Sequence, residues 1–331
     1  MAEILAVASQ NLLSPMVLFF ALGFLAALVR SDLAIPEAVA KGLSIYLLLS
    51  IGYKGGVGVA THGASACLVF ALLAGIALSA LIPVIAFAIL RATSALSRVD
   101  AAAVAAHYGS ISVVTFVAAT SMLTVRGIGF EGYMVAVAAA MEAPAIVTAL
   151  LLVHRAGIPA DASGGGGLDL SLVREVLVAG SIVLLVGSFA IGWITGPEGL
   201  EEISAFVVDP FKGILCLFLL DMGLIAGRGI RQGAGVLSVP IVLFGIGMPL
   251  IGAALGLGTA LLLGLSPGGA AVLATLSASA SYIAVPAAMR VALPEANPAI
   301  YLTLSLGVTF PFNLVLGIPL YMAAATMLVG G

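Results

Sequence analysis

Charge is what this sequence has least of. Of 331 residues, 12 are Lys or Arg and 15 are Asp or Glu, 8% in all, against roughly a quarter in soluble domains. Such a chain cannot cover a soluble surface, and it has no basic field with which to hold a nucleic acid. Cysteine is nearly absent too. Cys67 and Cys216 each fall inside an apolar run and read as small core residues, not as a disulfide or a metal site. Three histidines, scattered along the chain like the two cysteines, argue against a metal or haem protein. A Walker motif is missing. Gly55-Gly56-Val57-Gly58 looks like a phosphate loop but lacks the Gly-Lys-Ser/Thr ending, so no ATPase is expected. No nucleophile–base pair appears, so the chain is not read as an enzyme. No Lys or Arg precedes Arg30. The start therefore lacks the positive region of a cleavable signal peptide, and its first apolar stretch is kept as structure.

What is present is apolar. Hydrophobic residues make up 62%, and the mean hydropathy is +1.27. The runs are continuous, where a barrel strand would alternate. A membrane-crossing helix needs about 20 such residues, and ten stretches qualify: 13–30, 42–60, 64–92, 100–123, 131–154, 172–194, 209–227, 236–264, 270–292 and 298–326. The expectation is an all-α polytopic membrane protein of ten transmembrane helices.

The chain is also written twice. Lys41-Gly42-Leu43 through Gly52 recurs as Lys212-Gly213-Ile214 through Gly223. Gly55-Gly56-Val57-Gly58-Val59 recurs as Ala226-Gly227-Arg228-Gly229-Ile230, Ser110-Ile111-Ser112 as Ser279-Ala280-Ser281, and Ala143-Pro144 as Phe310-Pro311. The spacing stays near ~170 residues, the duplicated build common in secondary transporters. Between the copies, Ala160-Asp161-Ala162-Ser163 and Gly164 to Gly167 have linker chemistry. The expected organisation is a five-helix repeat over 1–158, a Gly-rich linker over 159–170 and a second repeat over 171–331. An odd number of crossings per copy makes the second copy inverted in the membrane. Arg30, Arg91, Arg98, Arg155, Arg174, Arg228, Arg231 and Arg290 follow odd-numbered spans, whereas only Lys54, Arg126 and Lys212 fall on the other side. The positive-inside rule then puts the linker in the cytoplasm and both termini outside it.

Backbone unwound at membrane depth is tolerated where it lines a cavity or is buried in protein. Two matched clusters suggest such places, making the fourth and ninth helices discontinuous: Gly109-Ser110-Ile111-Ser112-Val113-Val114-Thr115, and Ser277 to Pro286. Half-helix N-termini would offer N–H groups and positive dipole ends to an anion, with serine hydroxyls as donors. Hydroxyls and freed carbonyls can also ligate Na+. Small residues in membrane helices equally serve close packing, and that reading stands beside the first.

Ionisable groups inside spans are costly and usually functional. Glu142, before Ala143-Pro144, matches Thr309, with Asn313 close by. It could bind a cation, titrate a proton or hold a structural hydrogen bond. Asp221 could be functional or a packing contact. Lys54 reads as a span-end residue that snorkels to the interface, and His107 as a satisfied packing residue. The substrate side is assigned to Gly109, Ser110, Ser112, Ser279, Ser281 and Tyr282, and the ion side to Thr115, Glu142, Ser277, Thr309 and Asn313.

Several segments resemble the sodium-dependent bicarbonate transporter family of cyanobacteria and other bacteria. They are Leu33-Ala34-Ile35-Pro36-Glu37, Ile51-Gly52-Tyr53-Lys54-Gly55-Gly56, Met141-Glu142-Ala143-Pro144-Ala145-Ile146-Val147-Thr148-Ala149, Ser277 to Pro286, and Pro294-Glu295-Ala296-Asn297-Pro298. The resemblance implies two inverted five-span repeats and a homotrimer in the bacterial inner (plasma) membrane. It also implies Na+-coupled uptake of bicarbonate, held between the fourth and ninth spans. Cyanobacterial members have a motif resembling Ser-Ser-Ser-Asp where this chain has Ser279-Ala280-Ser281-Tyr282, and an aspartate where it has Glu142. They also have a long central segment and a regulator related to the signalling protein PII. The linker here, Arg155 to Ser171, is short, which weighs against a PII-like partner. Two other readings stay open: a carrier of another small anion or carboxylate, H+-coupled through Glu142, and a membrane receptor for a regulatory protein.

Overall fold

The computed structural model describes residues 13–62, 66–142, 144–155, 180–233, 237–282 and 293–329, with Val285, Pro286 and Met289. Every regular element among them is helical: α1 Pro15–Leu28, α2 Glu37–His62, α3 Ala66–Thr93, α4 Arg98–Gly109, α5 Val113–Val125, α6 Met134–Ala140 and α7 Pro144–Arg155, then α8 Gly180–Glu202, α9 Ser204–Val207, α10 Phe211–Gly233, α11 Val239–Leu263, α12 Pro267–Ala278 and α13 Pro298–Val329. Eight helical stretches are long and apolar enough to cross a membrane, and α1 and α12 are shorter apolar helices. The linker expected over 159–170 lies outside the described residues, as do Arg174 and Arg290.

Local chemistry sets the helix starts. Ser14, Ser97 and Ser266 each accept a backbone N–H three residues on, from Val17, Asp100 and Gly269, as N-caps do. Proline stands at the first helical position of α1, α12 and α13, where its missing N–H costs nothing. In α13, two π-helical segments, Ser305–Thr309 and Asn313–Gly317, flank Pro311.

The helices fall into two groups. α1 runs along α10, α2 runs along α8, and α10 also touches α2. These pairs close through glycine. A Cβ on Gly23 would overlap Leu220 O, one on Gly223 would overlap Phe20 O, one on Gly56 would overlap Phe189 O, and one on Gly192 would overlap Tyr53 O. In a bilayer, lipid tails are as apolar as Leu, so backbones that approach this closely supply the packing. The second group, α3, α4, α5, α7, α11, α12 and α13, packs together on the other side. The stretch Arg98–Val125 is its centre: in its most apolar 18-residue window 94% of the residues are buried, against 17% in that of Val183–Glu202 of α8. Leu18, Phe19 and Leu22 of α1, Val69, Phe70 and Leu73 of α3, and Leu243 and Leu262 of α11 are exposed, as lipid-facing side chains would be.

Two acidic side chains clasp helix starts across the halves of the chain. Asp100 Oδ1 accepts the N–H of Asn297, the cap of α13, at 2.8 Å, while its other oxygen accepts from Ser97 Oγ at 2.7 Å. Glu131 accepts the Ser266 N–H at 2.7 Å and the Ser266 hydroxyl at 3.0 Å, at the start of α12. A carboxylate at a helix N-terminus is favoured by the dipole as well as by the hydrogen bond.

Candidate functional site

The two hydroxyl-rich clusters are places where helices stop. α4 ends at Gly109 and α5 starts at Val113, while α12 ends at Ala278. Ser110 and Ser279, just past those ends, have extended backbones. The freed groups find partners in the opposite cluster. The Ser112 N–H donates to Ser279 Oγ at 2.9 Å, and the Ser281 N–H donates to the His107 carbonyl at 2.7 Å. Ser279 Oγ in turn donates to Leu276 O at 2.8 Å, and Ser112 Oγ accepts the Thr115 N–H as the cap of α5. The breaks therefore cross and satisfy each other, which buried backbone groups require.

Helix ends of both signs meet here. The C-terminal ends of α4 and α12 bring carbonyls, and the N-terminal end of α5 brings N–H groups. Asn313 completes the second break: its Nδ2 donates to Ala278 O at 2.9 Å, and its Oδ1 accepts from Tyr321 Oη at 2.8 Å. A third interruption lies at Met141-Glu142, between α6 and α7. There the Ser79 hydroxyl donates to Met141 O at 2.7 Å, taking the carbonyl of the residue that caps the end of α6.

Beside the crossing is a cavity of about 490 Å³, its mouth included. The two breaks contribute Ile111, Ser112, Ser281 and Tyr282, the third contributes Glu142, and α5 contributes Val113, Val114 and Val117. The other helix group supplies Ser44, Leu47 and Leu48 from α2 and Phe218 from α10. The lining is mostly apolar with a few convergent polar groups, the usual make-up of a small-molecule site. No lining residue is Lys or Arg.

All eleven residues assigned from sequence are buried. Ser112, Ser281, Tyr282 and Glu142 come together on the cavity, and the Tyr282 hydroxyl lies next to Ser112. Gly109, Ser110 and Ser279 form the breaks behind it, and Ser277 and Thr115 sit in the adjoining helix turns. Thr309 and Asn313 do not line the cavity. Thr309 Oγ1 donates to Gly245 O at 2.8 Å and pairs with Tyr108 Oη. Ser110 Oγ and Ser277 Oγ have no hydrogen-bond partner among the described residues.

Two expectations need correction. Lys54 is no span-end residue: α2 continues to His62, and its ammonium lies 3.6 Å from the centre of the Phe211 ring. Cys67 is exposed at the start of α3 and so is not a core residue, while Cys216 is half-buried. Sequence reasoning missed Ser44, Phe218, Ser79 and Glu131. Only Ser44 left a signal, as the first member of the 44-47-48 stripe on one face of α2.

An all-helical, multi-pass membrane protein with interrupted helices crossing at its buried centre has the build of a membrane carrier. Residues 15–326 match the Na+-dependent bicarbonate transporter superfamily, and the chain belongs to it. No curated protein matches the chain.

Proposed function

We propose that the protein is a secondary active transporter that carries bicarbonate with Na+ into the cell by alternating access. The carrying observation is the crossing: two interrupted helices whose freed N–H and carbonyl groups meet beside a cavity lined by Ser112, Ser281, Tyr282 and Glu142. Membership of the superfamily supports bicarbonate as the cargo and Na+ as the coupling ion.

In this reading Gly109, Ser110, Ser112, Ser279, Ser281 and Tyr282 hold the anion, through hydroxyls and the α5 N-terminus. Thr115, Glu142 and Ser277 serve the Na+ side, where hard oxygen ligands suit the ion. Thr309 and Asn313 belong to that side through the carbonyls they hold. Tyr282, in place of an acid, leaves Glu142 as the carboxylate of the cavity. α1, α2, α8 and α10 form the scaffold against which the second helix group moves.

The same proposal includes ten crossings in two inverted repeats, 1–158 and 171–331, joined by a cytoplasmic linker over 159–170. It places the protein in the bacterial inner membrane with both termini outside the cytoplasm. The pairing of α1 with α10 and of α2 with α8 is what a two-fold relation between halves would produce. Homotrimeric assembly rests on the family resemblance alone, and a PII-like regulator stays an open partner.

The test is uptake of labelled bicarbonate into proteoliposomes under an inward Na+ gradient. Uptake that collapses when choline replaces Na+ is expected. No uptake at any pH tried would sink the proposal, and Na+-independent uptake would replace Na+ by H+ as the coupling ion.

A further inference from the structure

The faces of α2 and α10 that line the cavity do not end there. A helix presents nearly the same face again after two turns, seven residues and about 10 Å on. Two turns from Leu47 of α2 stands Lys54, and two turns before Phe218 of α10 stands Phe211. Leu47 and Phe218 line the cavity, and Lys54 lies over the Phe211 ring at 3.6 Å. The stripe that holds the cavity thus closes on itself at a lysine.

Beside Lys54 the scaffold meets the core. A Cβ on Gly58 would stand 3.0 Å from the Gly132 Cα, and one on Gly55 would overlap Val135 of α6. No side chain fits between α2 and the chain entering α6 in this arrangement. The matching contact in the second half is looser, with a Cβ on Gly229 meeting Thr303 Oγ1 at 3.8 Å. The seam next to Lys54 is therefore the tighter of the two.

Lys54 is also chemically conspicuous. It is half-buried and makes no ion pair or hydrogen bond among the described residues. A cation held this way in an apolar helix is costly, and an aromatic face offsets part of that cost. The other described basic residues lie at or near helix ends, as Lys41, Arg98, Lys212 and Arg231 do. The cavity itself carries a carboxylate, Glu142, and no cation. Nothing within it attracts an anion at a distance.

We propose that Lys54 is the specificity-determining residue of the anion's approach: parked on Phe211 while the Gly58–Gly132 seam is shut, it draws the anion toward Ser112 and Ser281 when the seam opens. This rests on the transport reading above and adds the source of the charge selection. A single charge at an approach acts mainly on capture and on its salt dependence, not on later steps. If Lys54 only stapled α2 to α10, its loss would move stability and maximal rate instead.

The experiment uses the full chain in two formats. In proteoliposomes, Lys54→Met is expected to raise the KM for bicarbonate about tenfold, with the maximal rate within about twofold and the excess shrinking as ionic strength rises. Lys54→Arg should stay near wild type. In detergent, labelling of the wild-type lysines by picrylsulfonate is followed by mass spectrometry. Bicarbonate, compared with gluconate at equal ionic strength, should slow labelling of Lys54 severalfold. Lys41 and Lys212, both exposed, should react unchanged. Labelling of Lys54 indifferent to bicarbonate overturns the inference whatever the flux, and so does a Lys54→Met variant with unchanged KM and a lost maximal rate. Wild-type protein without bicarbonate flux whose Lys54 is nonetheless protected would overturn the transport reading and leave anion capture standing.

Discussion

The scaffold pairs and the crossed breaks solve one problem in opposite ways. Both bring helices from distant parts of the chain into close contact inside an apolar protein. Between α1 and α10, and between α2 and α8, glycine lets backbone rest on backbone, with Gly23, Gly56, Gly192 and Gly223 at the contacts. At the crossing the backbone is opened, and serine carries it: Ser279 takes the Ser112 N–H and the His107 carbonyl takes the Ser281 N–H. The first contact is mainly steric, with one hydroxyl pair across it, Tyr53 to Thr195. The second pairs the backbone donors and acceptors of two breaks next to a cavity. Unbroken helix serves at the glycine contacts, where the protein needs shape, and α8 kinks only past them, at Gly196; broken helix serves where it needs polarity.

That contrast can be broken by substitution. The largest effect is expected at Gly223→Leu, whose side chain has nowhere to go against Phe20 O. Overpacking of this kind should cost about 3 kcal/mol or more, read as loss of folded protein in detergent unfolding. Ser279→Ala comes next. It strips the partner from the buried Ser112 N–H, at about 1–3 kcal/mol, and uptake should fall more than stability does. If Ser279→Ala transports like wild type, the crossing is packing and nothing more. Glu131→Ala removes both acceptors of Ser266 at the start of α12, for about 1–2 kcal/mol. Its unfolding midpoint should drop while KM holds. The smallest effect belongs to Gly213→Ala, an exposed helix position with nothing within 4 Å. It should stabilise by at most about 1 kcal/mol. A large loss there would mean that the scaffold glycines answer to backbone freedom, not to contact.

The crossing was legible in the sequence because its serines recur in both halves, and recurrence separates a motif from ordinary small residues. The third break could be read from Pro144, whose effect on the preceding turn is local. The clasps were not legible. Glu131 and Ser266 stand 135 positions apart, and Ser79 and Met141 stand 62 apart. No local pattern marks a pairing set by how the helices assemble. Asn313 shows the same limit. Its residue type suits a cation, but the fold turns its amide to Ala278 O and Tyr321. Lys54 misled because a lysine near the end of an apolar run is usually interfacial, and the run here extends two more turns as helix.

The pairing of α1 with α10 and of α2 with α8 also bears on biosynthesis. The chain reaches the membrane from its N-terminus, so the glycine faces of α1 and α2 are inserted long before the helices that cover them are translated. A ribosome finishing α7 leaves behind a bundle whose central break lacks Ser279 to receive the Ser112 N–H. The first half must wait, open-faced, for the second, and contacts this distant in sequence are slow to form. A truncated product ending before α8 should therefore be a substrate for membrane quality control, not a smaller working protein.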